Sequence, residues 1–446
     1  MRTKSRLKFE SRAGFNWGDV YDQLDWLPDG GLNIAHETVD RHARGPLRDR
    51  VALVWLGRDG EREEHTFGGL AELTGLFANV LVSLGVEQGD RICICLDRLP
   101  ELYVALLGTL KTGAVVVMLP SRSSANVIKD RMLSTRAKVL VAQPETRRSL
   151  HTAVFEMFDL QHIVVVNKDR RDPLPIETAD LDYDEEMGKA PADFTVAPTG
   201  QYDYASIHYA EAGPGVVQAH LSVAQHLAAG KWALGLTDGD LLWSLADPAS
   251  PAGTSFGLVA PWTAGARLLV YEEDADTAAC YAAVEKHRVS VLHAPAGAVE
   301  DIAAAGKGIA DGRDLSSLRH VVTDGGSLAA DIVERASVAT GSPVYDTWLQ
   351  AETGTAVIAS SSIAGVRPGS AGTAMPGVEI AVLGDDHRTA APGAVGELAV
   401  RPGWPSMFRG YWGDRRRSAE RFRRGWYMTG QRASIDAGGF VWLADR

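Results

Sequence analysis

Helical and strand periods alternate along most of this chain, and that alternation limits its fold more than any other feature. The stretch from Phe67, FGGLAELTGLFANVLVSLGV, carries apolar residues at three- and four-residue spacing and reads as a helix. RICICLD then reads as a buried strand, LPELYVALLGTLKTG as a helix closing at Gly113, and AVVVMLP, AKVLVAQ and IVVVN as further strands. From about Asn167 to Asp203 the chain turns polar, acidic and proline-bearing without a sustained period, as expected of a long surface connection. A second set follows: LLWSLA, RLLVYE, a helix through TAACYAAVEKH, the strand VSVLHAP, a helix from Ala296, the strand LRHVVTD and a helix through LAADIVERASVATG. From Gly377 short alternating strands such as VEIAVLG, GELAVRP, WYMTG and GGFVWLA are separated by turns. The expected fold class is α/β, with two stacked α/β lobes over residues 1–203 and 204–376 and a small antiparallel β subdomain over 377–446.

Composition removes several function classes. Lys+Arg of 45 against Asp+Glu of 57 leaves a net charge of −12, and the one basic cluster, Arg415 to Arg417, has no interleaved aromatics. Nucleic acid is therefore not an expected partner, and the arginines read as a solvated surface turn. The opening MRTKSRLKFESR leads into no apolar stretch of signal length, and eighteen apolar residues never run together, so a cytosolic protein without a membrane span is expected. Cys93, Cys95 and Cys280 form no C-x-x-C pair; the first two alternate within a strand and read as small buried hydrophobes.

Several segments, in order, carry a resemblance: LNIAHETVDRH, SLGVEQGDRICICLDRLPELYVALLGTLKTGAV, GKWALGLTDGDLLWSLADP, SLRHVV, YDTWLQAETG, RPGSAGTAMPGVEIAV, GWPSMF and GWYMTG. Together they resemble the AMP-forming, adenylate-forming superfamily and, within it, the acetyl-CoA synthetases, over the whole chain. The resemblance implies the N-terminal domain of an acyl-CoA synthetase. That domain binds ATP with magnesium and a small carboxylic acid and joins them as an acyl-adenylate, after which a mobile C-terminal domain admits CoA. The position of Arg446 is where a ribose-contacting Arg precedes the hinge in the family, and the C-terminal domain would follow it. The expectation is therefore that the C-terminal domain is absent and that CoA is not used by this chain alone.

In the family a loop resembling Y-T-S-G-S-T-G-x-P-K-G-V surrounds the triphosphate with hydroxyl, backbone and ammonium donors. The equivalent stretch here holds Ala210, Glu211, Gly213, Pro214 and Gly215, with no Ser, Thr or Lys. Each lost contact to phosphate forfeits roughly 1–3 kcal/mol, so three or four remove several powers of ten in affinity or rate. Glu211 adds a carboxylate where negative charge should be held. The remaining motif positions carry over one at a time. Glu352 matches the magnesium-associated glutamate, and Asp346, Thr347, Trp348, Gln350, Thr353 and Gly354 match the nucleotide motif, with Ala351 in place of a phosphate-facing Thr. Leu349 replaces a Trp that closes the acetate pocket, which implies room for a longer or branched acid; ADPASPAGTS, holding Gly253 and Thr254, is similar to a family loop near that pocket, and its Pro and Gly content equally suits a plain connecting loop. The adenine-side Gly-Glu-Pro is Gly325-Gly326-Ser327 here, and the ribose-binding Gly-Asp is Gly430-Gln431, an amide offering one acceptor oxygen where a carboxylate offers two.

His208, His220, His226 and His293 have no Ser or Cys at a fixed spacing and read as ordinary polar or core histidines. Trp404, Trp412, Trp426 and Trp442 read as core or docking surface. Three functions are consistent with these residues. The first is a degenerate acyl-CoA synthetase homologue that binds or regulates, the second a short- or branched-acid CoA ligase completed by a C-terminal domain in trans. The third is a module whose bared surface meets a protein partner.

Overall fold

The computed structural model describes residues 14–167, 176–177, 179–209, 213–310, 312–326 and 328–444; Ala210, Glu211, Ser327 and Arg446 lie outside them. Periodicity becomes structure through local caps. The helix Phe67–Ser83 starts where the Thr66 hydroxyl accepts from Gly69 N, and the helix Thr277–His287 starts where Asp276 accepts from Ala279 N. Pro100 opens the helix Pro100–Lys111, and Gly113, with φ of 75°, lets the chain leave it.

These elements assemble on two sheets. In the first, Arg91–Cys95 lies centrally, paired in parallel with Val115–Met118 on one side and Val139–Ala142 on the other. His162–Val165 and Leu181–Asp182 extend one edge, and the hairpin of β1 (Tyr204–Tyr209) and β2 (Gly215–Ala219) extends the other. Cys93 and Cys95 are fully buried in its core. The second sheet places β3 (Leu241–Ser244), β4 (Val291–Pro295), β5 (His320–Asp324) and β6 (Val344–Trp348) side by side and parallel. It continues through Ile358–Ala359 and Gly372–Ala374 into the antiparallel strands expected from Gly377. A core that includes Phe67, Phe77, Trp232, Phe256 and Trp262, all fully buried, runs between the layers.

Two local readings differ. The connection expected to be irregular contains the strand Leu181–Asp182 and the helix Tyr183–Lys189. That helix has no apolar period; Asp182 caps it, acidic residues fill its first turn, Lys189 pairs with Glu185 and Glu186, and Tyr183 stacks on Phe77 at 5.7 Å. Arg415 to Arg417 belong to a short exposed helix, Arg415–Glu420, capped by Asp414, rather than to a turn. Among the described residues no helix is long and apolar enough to cross a membrane.

Candidate functional site

Parallel strands gather their carboxyl ends along one edge, and ligand crevices in such sheets lie there. β6 ends in the motif turn Gln350–Gly354. Gln350 N–H donates to the Thr353 hydroxyl at 2.8 Å, and Gly354, with φ of 75°, closes the turn so tightly that a Cβ would stand 2.7 Å from the Ser406 carbonyl oxygen. Side chains far along the chain hold this turn. The Trp404 indole and the Ser406 hydroxyl both donate to the Thr353 carbonyl, and the Tyr427 hydroxyl donates to Gln350 Oε1 at 3.2 Å. Strand β7 (Gly410–Tyr411) pairs with β2, which lets the Tyr411 hydroxyl donate to Glu352 Oε1 at 2.7 Å. Burial, then the neighbouring Glu352 carboxylate, pushes the Tyr411 phenol up to about 12.

The other expected positions fall around this turn. Gly215 pairs directly with Tyr209, and a Cβ on it would come within 2.6 Å of the Ile207 side chain, so a larger residue there would push that side chain aside. Gly213 and Pro214 are half-buried beside it. From β2, the Gln218 amide crosses to donate to the Ala351 carbonyl at 2.7 Å, joining hairpin and turn. The Thr347 hydroxyl donates to the Thr323 carbonyl of β5 at 2.7 Å, and Trp348 is buried. Asp346 is buried on β6; loss of solvent holds its carboxyl well above the usual range. Gly325 and Gly326 follow β5 with φ of 98° and 137° and open space around each Cβ position, so what glycine supplies there is the positive φ. Gln431 spends its amide N–H groups on the carbonyls of Arg432 and Ala444, while the neighbouring Thr429 carbonyl accepts from Gln350 at 3.1 Å. Gly253 is packed against Asp247, the Thr254 hydroxyl donates to Pro248, and Leu349 packs half-buried on the main core.

All four histidines are buried core residues; His220 accepts from the Ile34 N–H at 3.1 Å, and the other three meet hydroxyls. Ser206 shares a hydrogen bond with His208 at 3.0 Å, Ser255 with His226 at 3.1 Å, and Ser244 with His293 at 2.8 Å. His293 Nε2 in turn lies 2.9 Å from Asp324, completing a Ser-His-Asp relay across the carboxyl ends of β3, β4 and β5. No spacing betrays these partners, because residues 244, 293 and 324 meet only through strand register. The relay fixes the Asp324 carboxylate at the carboxyl end of β5. Ser244 sits beneath Gly257, where a Cβ would already lie 3.3 Å from its hydroxyl, and the crevice beside it holds about 10 Å³, space for one water at most.

A hairpin, a motif turn and glycine bends at adjoining carboxyl ends have a counterpart in known proteins, because the family of AMP-binding enzymes matches residues 39–412. The chain belongs to that family. Its AMP-binding relatives include acetyl-coenzyme A synthetase of Bacillus subtilis (strain 168), 32% identical over 444 residues, covering 98% of this chain and 76% of the relative. Acetyl-coenzyme A synthetase of Streptomyces coelicolor is 29% identical, covering 94% and 68%. Among solved structures, an acyl-CoA synthetase of Brucella canis superimposes with a TM-score of 0.88 at 26% identity over 97% of this chain and 78% of that one. The anthranilate CoA ligase AuaEII, solved with anthranoyl-AMP, reaches a TM-score of 0.86 at 23% identity over 97% and 80%, a likeness of fold. The acyl-CoA synthetase α/β fold expected from the motifs is therefore present, with two mixed sheets and an antiparallel β region.

Proposed function

We propose that this AMP-binding chain keeps a cleft for an adenylate but grips a triphosphate poorly, and acts as a binding or regulatory homologue of an acyl-CoA synthetase rather than as a full ligase. The observation that carries this reading is the short hairpin. Tyr209 pairs with Gly215, and the residues between them, Ala-Glu-Ala-Gly-Pro, supply no hydroxyl and no ammonium. Backbone amides alone would have to hold the phosphates, against the like charge of Glu211. Magnesium is usually held by one or two carboxylates together with substrate phosphates. Glu352 is one carboxylate with one oxygen already bonded to Tyr411, and no cluster of three or more His, Cys, Asp or Glu stands ready for a metal among the described residues. Without held phosphates this donor set does not fit a magnesium ion, and no catalytic step is derived through one.

Isothermal titration with ATP, AMP and an acyl-adenylate analogue, beside a pyrophosphate-exchange assay with short and branched acids, tests the reading. AMP and the analogue should bind, ATP should gain nothing from its extra phosphates, and exchange should stay at background. Exchange at the rate usual for acetyl-CoA synthetases overturns it. A second reading, favoured by the retained and hydrogen-bonded Glu352, is a CoA ligase for a short or branched acid that works with a C-terminal domain in trans. Adding the purified C-terminal domain of a related synthetase should then raise acyl-CoA formation; no gain removes this alternative.

A further inference from the structure

One face of the β1–β2 hairpin is polar, buried and turned into a cavity. Ser206 and Gln218 follow each other across the antiparallel register, and His208 lies two residues beyond Ser206, so the three side chains share a face. They line a cavity of about 30 Å³ with His226, Ser255 and Gly354, against an apolar wall that includes Leu106 and Met118. Gly354 closes the motif turn that carries Glu352, so the cavity abuts that turn.

Two polar atoms at this face lack partners. The Gln218 nitrogen must face the Ala351 carbonyl to which it donates, so the orientation of the amide is settled and its buried Oε1 is left without a hydrogen bond. A Cβ on Gly354 would lie 2.9 Å from that oxygen. His208 shares its Nε2 with Ser206 and leaves Nδ1 unpartnered; the Ala249 backbone is its neighbour but lies outside hydrogen-bond geometry. Gln218 is 4% exposed and His208 6%, and polar atoms buried to that degree are rarely left unsatisfied.

Charge narrows what could satisfy them. Among the described residues no Lys, Arg, Asp or Glu lines the cavity. Burial holds both histidines neutral, His208 down to about 4 and His226 to about 3. A carboxylate or ammonium entering here would lose its hydration without meeting a counter-charge. An alkyl group would leave both atoms unpaired. A hydroxyl can serve either, donating to Gln218 Oε1 or accepting from a protonated Nδ1 of neutral His208.

We propose that this cavity selects an acyl group bearing an uncharged hydroxyl, that of a short hydroxy acid, over a plain alkyl acid or an acid with a second charge. The inference rests on the reading that the adjoining cleft holds an acyl-adenylate. Calorimetric titration of the whole chain with sulfamoyl-adenosine analogues carrying acetyl, butyryl, 3-hydroxybutyryl, succinyl and β-alanyl groups tests it. The hydroxylated analogue should bind about tenfold or more tighter than butyryl, with the two charged analogues weakest. Gln218→Leu should reduce that preference to about threefold or less, and His208→Leu reads the same preference from the other atom should the first variant fail to fold. Equal binding of butyryl and hydroxybutyryl analogues overturns the hydroxy-acid selection while leaving the cleft reading intact, and so does tightest binding of a charged analogue. If no analogue binds, acetyl included, the cleft reading itself fails and this selection falls with it.

Discussion

A hydrogen bond from Gln218 to Ala351 joins the hairpin Tyr204–Ala219 to the turn Gln350–Gly354, yet the two are held in different ways. The turn is fixed from outside by Trp404, Ser406, Tyr411 and Tyr427, each more than fifty residues away in sequence. The hairpin is a backbone ladder whose two strands pair with each other and with their sheet neighbours, whatever the connecting residues carry. An AMP-binding fold can therefore keep its turn, because losing one residue there breaks several tertiary contacts. It can lose the chemistry of the hairpin connection without disturbing the sheet. Likeness of fold is evidence about the first region and says little of the second.

The comparison can be broken in four ways, taken from the largest expected effect. Acid should unfold the hairpin side first. His208 and His220 are held neutral down to about 4, and His226 to about 3, chiefly by burial. A depressed histidine stabilises the fold above its unfolded value of about 6.5, and that stability is lost as pH falls. Urea unfolding at pH 5 against pH 7 should show a loss on the order of 2 kcal/mol for each of the three. Asp346, beside the turn, has the opposite sign: its raised carboxyl binds its proton more tightly in the fold and resists the loss. Asp346→Asn should steepen the acid dependence; a flatter dependence in that variant would contradict the assignment.

Next, replacing residues 210–214 with a loop rich in Ser, Thr and Gly with one Lys should raise ATP affinity about a hundredfold or more by calorimetry, with AMP affinity little changed. An unchanged ATP affinity would place the limit at the turn instead. Third, Gly354→Ala forces a Cβ against the Ser406 carbonyl at a positive φ and should lower unfolding stability by about 2–3 kcal/mol. Pro214→Ala in the hairpin should stay within about 1 kcal/mol. Similar losses in both variants would erase the contrast. Smallest, Tyr411→Phe removes the hydroxyl that Glu352 accepts from and should lower stability by about 1 kcal/mol in the same assay.

Sequence alone determined most of the elements and the chemistry each segment can offer. The strands at Arg91–Cys95, Val115–Met118, Val139–Ala142 and His162–Val165, and the helices Phe67–Ser83 and Thr277–His287, follow from apolar periods contained in a few residues. The helix Tyr183–Lys189 was not legible that way, because a cap, a charged first turn and one stacked ring stabilise it in place of an apolar stripe. The motif residues from Asp346 to Gly354 were legible because their types and spacing lie in one short window. What only the tertiary structure decided is which groups meet: Tyr411 with Glu352, Gln218 with Ala351, and Ser244 with His293 and Asp324. Hydrogen bonds act over about 3 Å, whereas the strand pairing that sets those distances joins residues tens to hundreds of positions apart, so no local pattern records the outcome.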